Sequence, residues 1–344
     1  MTARIKLDAS LMSVDDLARI PDLTAEVCAA GFDGLWASEV NHDPFIQLGL
    51  AATRSGDLEV GTAIALSFTR SPMALAYSAW DLAALTGGRF ILGLGTQVRA
   101  HNERRFSVPW SAPIPRLREV VESLRAIWHS WRTGERLNYR GEHYTFTLMT
   151  PFFTPPRHDY DIPIAIAGVN TGLCRLAGEI ADGFHVHPLN SPAYLREVVR
   201  PAIAEGATEA GRSPDDVSLF ASVFVVTGHD DAEMARSRES VRQQISFYAS
   251  TPSYRVILET HGWADVGEQL SRLAARKQWG EMPRLVSDEM IETFAVVAPP
   301  EEVGRAVLGR YQGLVDRVML YHPYVPGEFD ELWAPAIRAF AEQA

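Results

Sequence analysis

Phe90-Ile91-Leu92-Gly93-Leu94 is a run without a polar side chain, set between Gly87-Gly88 and a polar stretch beginning at Thr96. A strand buried on both faces has this character, and parallel sheets covered by helices supply that setting. Working outward, further short strand patterns occur at Ile5–Ala9, Gly34–Ser38, Leu58–Leu66, Ile162–Ala167, Gly183–His187, Leu219–Val226 and Arg317–Tyr321. Between them lie longer stretches with helical spacing. Leu23, Val27 and Ala30 run to a terminating Gly31, Pro44 opens a helix carrying Phe45, Leu48 and Ala52, and Pro72 stands in the first turn of another. Eight strands alternating with helices predict an α/β protein, a (β/α)8 TIM barrel, with an open doubly wound sheet as the runner-up.

Two segments break the alternation. Arg99 to Phe153 contains Leu137–Phe146, which reads as a β-hairpin, and Asp230 to Glu292 is too long for one crossover. They predict insertions after strand four and strand seven. With no internal repeat or linker, residues 1–344 read as a single barrel domain.

Composition narrows the function. Of 344 residues, 47% are hydrophobic and 22% charged, as in ordinary globular proteins, and the formal net charge is -11. Such a chain repels phosphate backbones and has no dense basic run, so no nucleic-acid partner is expected. Cys28 and Cys174 lie in apolar helical stretches and read as packed thiols. No apolar run is long enough to span a bilayer, and no leader pattern precedes the first strand. A cytoplasmic protein without a membrane partner is the expectation.

A barrel of this kind carries its site at the C-terminal ends of the strands. Those ends are Ser10, Ser38-Glu39-Val40-Asn41-His42, Ala63-Ile64-Ala65-Leu66, Gly95-Thr96-Gln97, Ala167-Gly168-Val169-Asn170-Thr171-Gly172, His185-Val186-His187 and Tyr321-His322. At the fifth, small residues precede a helix N-terminus, which suits a phosphate-bearing ligand; a plain tight turn is the bland alternative. Glu39 and His42 pair a carboxylate with an imidazole for proton transfer, unless His42 merely packs where Asp43-Pro44 starts a helix. His185 and His187 share one face of a strand and allow a metal-dependent hydrolase as the competing class. No third ligand is placed, so no metal is predicted.

The ordered set Ala30–Glu39, Val60–Ile64, Thr86–Thr96, Asn102–Phe106, Ile164–Gly168, Ala177–Gly183 and Pro300–Val303 resembles the bacterial luciferase-like superfamily of flavin and deazaflavin oxidoreductases. The resemblance is strongest to the branch that uses coenzyme F420. It implies hydride transfer between the deazaflavin and a small, mostly apolar organic substrate, and Glu39 and His42 are the catalytic candidates, His42 standing two residues beyond the place of the family's usual histidine. It implies cofactor contacts at Glu39, Ala63, Ile64, Ala65, Thr96, Gln97, Asn102, Gly168, Val169, Asn170, Gly172 and His187, and a non-prolyl cis peptide at Ala63-Ile64. Homodimers are usual in the resembling family. An FMN-dependent monooxygenase supplied by a partner flavin reductase is the first alternative, and a barrel that only binds a ligand is a remoter one.

Three departures from the resembling pattern stand out. Val40 occupies the place where members often carry histidine, Gln97-Val98 lacks the acid some dehydrogenases have, and Glu292-Thr293 replaces a phosphate-binding lysine. A sugar phosphate is therefore not the expected substrate. Trp110, Phe152 and Phe153 are expected to line the substrate pocket.

Overall fold

The computed structural model describes residues 4–12 and 14–343. Strands β1 (Lys6–Ser10), β2 (Gly34–Ala37), β3 (Glu59–Thr62), β4 (Phe90–Gly95), β5 (Ile164–Gly168), β6 (Gly183–Val186), β7 (Ser218–Val226) and β8 (Arg317–Leu320) are all parallel. Each pairs with the next and β8 pairs back to β1, closing the expected (β/α)8 barrel. Helix ends follow their local signals. Gly31 closes the first long helix at φ 95°, and the Asp43 carboxylate accepts the Phe45 N–H at 2.8 Å to start the helix Pro44–Ala52.

Both insertions are present, with one refinement. The stretch after β4 also contains the crossover helix Pro113–Thr133, whose Trp128 indole donates to the Ala76 carbonyl in the neighbouring helix Pro72–Leu85. The excursion is thus split into the short helix Arg99–Arg104 before it and the hairpin Tyr139–Arg140 with Thr145–Phe146 after it. After β7 the chain runs through helices Asp231–Ala249, Arg255–Glu259, Ala264–Ala275 and Asp288–Phe294. It then returns as a short strand, Ala295–Val297, paired to the end of β7 itself.

The strands divide two cores. On β2, Leu35 and Ala37 face the helices, while Trp36 points into the barrel with Ile91, Ala165 and Phe220. Under that aromatic layer Arg317 is clamped by both Asp8 oxygens, at 2.6 and 2.8 Å, and also reaches Glu59. Its guanidinium lies 5.4 Å from the Trp36 ring and 5.8 Å from Phe220. Two glycines make this possible: a Cβ on Gly34 would lie 2.5 Å from the Arg317 guanidinium, and one on Gly61 would lie 2.3 Å from the Trp36 ring.

Removing one member of a buried ion pair leaves its partner charged and unsolvated. Arg317→Met should therefore destabilise the fold by about 3–5 kcal/mol at neutral pH, read from urea unfolding. A change within about 0.5 kcal/mol, as for an ordinary surface substitution, would refute the structural role assigned to this cluster.

Candidate active site

The C-terminal ends of the strands surround a cavity of about 490 Å³. One side is built by a break in β3. Val60 and Gly61 pair with Phe90 and Ile91, whereas Ala65 and Leu66 pair with Leu94 and Gly95, so one extra residue is accommodated on the β3 side. The peptide between Ala63 and Ile64 is cis, at the position implied by the resemblance. The end of β2 holds this bulge at several points. Ser38 Oγ donates to the Ala63 carbonyl at 2.7 Å, the Glu39 N–H donates to the Ile64 carbonyl at 3.1 Å, and the Glu39 carboxylate accepts the Leu66 N–H at 2.7 Å. Glycine is required opposite, since a Cβ on Gly93 would lie 1.9 Å from the Thr62 carbonyl oxygen and one on Gly95 would lie 2.5 Å from Ile64 Cδ1.

Glu39 is thus a tether as well as a wall residue. Arg70 approaches its two oxygens at 2.7 and 2.8 Å and reaches Asp43 at 2.6 Å. His42 lies on the connecting loop, half-buried and outside the cavity lining. The two residues proposed for proton transfer therefore do not meet over the cavity.

On the far side, β5 ends in Gly168-Val169-Asn170, all three lining the cavity. Asn170 caps the helix Thr171–Ile180 by accepting the Leu173 N–H at 3.1 Å. That cap leaves the Thr171 and Gly172 N–H groups of the first turn available to an anion. Gly172 itself is not a lining residue; its Cα faces Ile114. Thr96, Gln97 and His187 line the cavity, whereas Ala65 and Asn102 are buried behind it. Asn102 works from there, its amide donating to the Thr96 carbonyl at 2.9 Å and to Val98 at 3.3 Å.

His185 on β6 and His187 immediately after it both line the cavity, as their spacing requires. His185 packs edge-on against Trp36 and Phe220, and its Nε2 is buried without a well-formed hydrogen bond among the described residues. Burial and then the Arg317 charge push its pKa down to about 3, against a weaker opposing pull from the Thr62 backbone. His187 is likewise pushed down to about 3 by burial. Its Nδ1 accepts the Leu189 N–H at 3.1 Å, which assigns the proton of the neutral ring to Nε2. Asn190 steadies this corner by donating to the His187 and Ser222 carbonyls at 2.8 and 2.9 Å. Among the described residues, no three His, Cys, Asp or Glu side chains gather as a metal site.

Of the remaining wall, the sequence offers Tyr321 as a strand end, and the other residues were not read from it as part of the site. Tyr248 and Tyr254 come from the insertion after β7, and Ser222, Met319 and Tyr321 from β7, β8 and the residue after it. Tyr248 and Tyr321 join through their hydroxyls at 2.7 Å, and His187 packs against Tyr248 and Tyr254 with ring centroids 4.6 and 4.5 Å apart. Trp110 lines the cavity as expected. Phe152 and Phe153 do not; they are 88% and 62% exposed on the outer surface, so that expectation is corrected.

A barrel with its cavity at the strand ends, bounded by a bulged third strand and an anion-ready fifth turn, has the architecture of a (β/α)8 oxidoreductase. The profile of the luciferase-like monooxygenase family matches residues 2–317, and the chain belongs to that family. It is 46% identical to the uncharacterized protein Rv1360 of Mycobacterium tuberculosis, over 92% of this chain and 93% of that one. It is 28% identical to the 5,10-methylenetetrahydromethanopterin reductase of Archaeoglobus fulgidus, over 80% of each. Among solved structures, the coenzyme F420-dependent tetrahydromethanopterin reductase of Methanopyrus kandleri superposes with a TM-score of 0.77 at 24% identity, covering 97% of this chain and 98% of that one.

The two depressed histidines make stability depend on pH. An unfolded histidine titrates near about 6.5, so between there and about pH 3 unfolding takes up protons that the folded protein does not hold. Stability is full above that window and falls as pH falls through it. His185→Gln removes one such proton, and the slope of unfolding free energy against pH near about pH 5 should flatten by about 1.4 kcal/mol per pH unit relative to the parent. Urea unfolding across that range measures it; identical slopes would contradict the assignment.

Proposed function

We propose that the chain binds coenzyme F420 across the ends of β3, β4 and β5 and transfers a hydride between the deazaflavin and a small, mostly apolar organic substrate. The observation that carries this reading is the joining, in one cavity, of the Ala63-Ile64 bulge and the Gly168–Asn170 turn with its helix N-terminus. A flat tricyclic ring suits the first and an anionic tail suits the second. The methylenetetrahydromethanopterin reductase relatives and the F420-dependent glucose-6-phosphate dehydrogenase of Nakamurella multipartita, 26% identical over 95% of this chain, support the cofactor.

When bound, the deazaflavin supplies the hydride chemistry, and the protein's part is orientation and electrostatics. Ala63, Ile64 and Ala65 would form the backing for the ring, with Ser38 and Glu39 holding the Ala63 and Ile64 carbonyls and the Leu66 N–H in place. Thr96 and Gln97, just after β4, would border the ring, Asn102 fixes the turn they sit on, and Gly168, Val169 and Asn170 would hold the phosphate together with the Gly172 N–H of the helix's first turn. Residues 1–344 act as one domain, the two insertions covering the site. Glu39 contributes through the segment it tethers, and His42 through the loop between β2 and its helix.

Fluorescence titration of the purified chain tests this directly. Coenzyme F420 should be quenched with micromolar affinity and FMN should bind at least about tenfold more weakly; the reverse order would establish the FMN reading instead. Asn170→Asp sharpens the test, because aspartate caps a helix as well as asparagine yet places a negative charge beside the phosphate. It should weaken coenzyme F420 binding about tenfold and leave the thermal midpoint unchanged.

A further inference from the structure

We infer that the wall formed by His187, Tyr248, Tyr254 and Tyr321 is the substrate subsite, and that it selects an uncharged molecule with a flat apolar body and one carbonyl-type oxygen. The inference rests on the placement of the cofactor over β3 to β5, which leaves this wall facing the remaining space.

The chemistry of the wall argues for that class. Its surface is largely aromatic, and Met319 adds an apolar patch beside it. Burial keeps the His187 ring neutral at neutral pH and holds the Tyr248 and Tyr254 phenols protonated. Elsewhere on the cavity lining the ionisable carboxylate, Glu39, is already paired with Arg70, and Arg99 stands in an ion pair with Glu103 on the outer rim. A charged substrate would surrender its hydration here without a counter-charge to replace it.

The polar groups that remain include donors. Nδ1 of His187 is occupied by the Leu189 N–H, so the ring offers Nε2–H. In the Tyr248–Tyr321 pair one hydroxyl donates to the other, which leaves the proton of the acceptor hydroxyl free. Donors on an aromatic wall match the lone pairs of a carbonyl oxygen. They oppose a cation, which the tyrosine faces alone would attract.

The probe set is 2-acetylnaphthalene, 2-naphthoate, 2-ethylnaphthalene and 2-naphthyltrimethylammonium, each titrated calorimetrically into the full chain with and without oxidised coenzyme F420. The ketone should bind at least about tenfold more tightly than the carboxylate, the cation or the hydrocarbon, and should still bind when the cofactor is present. His187→Phe and Tyr321→Phe keep the rings and remove the donors, and each should cut the ketone's advantage over the hydrocarbon about tenfold with the hydrocarbon's own affinity little changed. Tighter binding of the carboxylate or the cation overturns the inference. So does displacement of the ketone by coenzyme F420, or an unchanged ketone-to-hydrocarbon ratio in both variants. The parent-protein comparison stands even where a variant fails to fold. Failure of coenzyme F420 to bind while the ketone does would instead count against the cofactor reading alone.

Discussion

The interior of the barrel rests on one ion cluster. Arg317, 4% exposed, is gripped by both oxygens of Asp8 and by Glu59, and so takes a fixed position between three strands that are far apart in sequence. Its flat guanidinium then serves as the platform for Trp36 and Phe220, and those rings bracket His185. His185 is part of the cavity floor. Each layer is thus supported by the one beneath it, and the floor inherits its position from a charge cluster outside the cavity lining. A purely apolar filling would have packed as well, but the bidentate grip also specifies orientation, which loose hydrophobic contacts do not.

Much of this was legible in the sequence because a strand buried on both faces leaves a plain mark. Phe90–Gly95 and Ser218–Val226 differ from the runs read there by a single residue at one end. The strand ends were legible too, so Ala63-Ile64, Gly168–Asn170 and His187 fall on the cavity as expected. What escaped were the partners. Glu39 reads as a free carboxylate until Arg70, 31 residues away, is brought beside it by the β3 bulge. Tyr248 and Tyr254 belong to an insertion whose helical spacing says which face is apolar but not which strand end that face will cover. Phe152 and Phe153 were drawn inward by their hydrophobicity alone, and exposed aromatics are common enough that the argument had little weight.

The charge balance takes on a different meaning once the site is assembled. The chain is acidic overall at -11, yet the cavity lining is close to neutral and its fifth-strand turn is electropositive through backbone N–H groups. An anion at that turn would meet oriented backbone dipoles. Such dipoles act within the first turn of a helix and leave the rest of the cavity unpolarised. That division would allow a phosphate-bearing group and an apolar one to share a single space.

The return of the second insertion to its own point of departure has a consequence for how this barrel changes over time. The chain leaves after Val226 and comes back as Ala295–Val297, laid in register against the same strand it left. Its two ends are stitched together before β8 begins, so the excursion is a closed cassette whose length is tolerated at little entropic cost. Tyr248, Ser253 and Tyr254 ride on that cassette, while the bulge and the fifth-strand turn belong to the barrel. A change in the cassette would therefore remodel one wall of the cavity and leave the bulge and the fifth-strand turn in place.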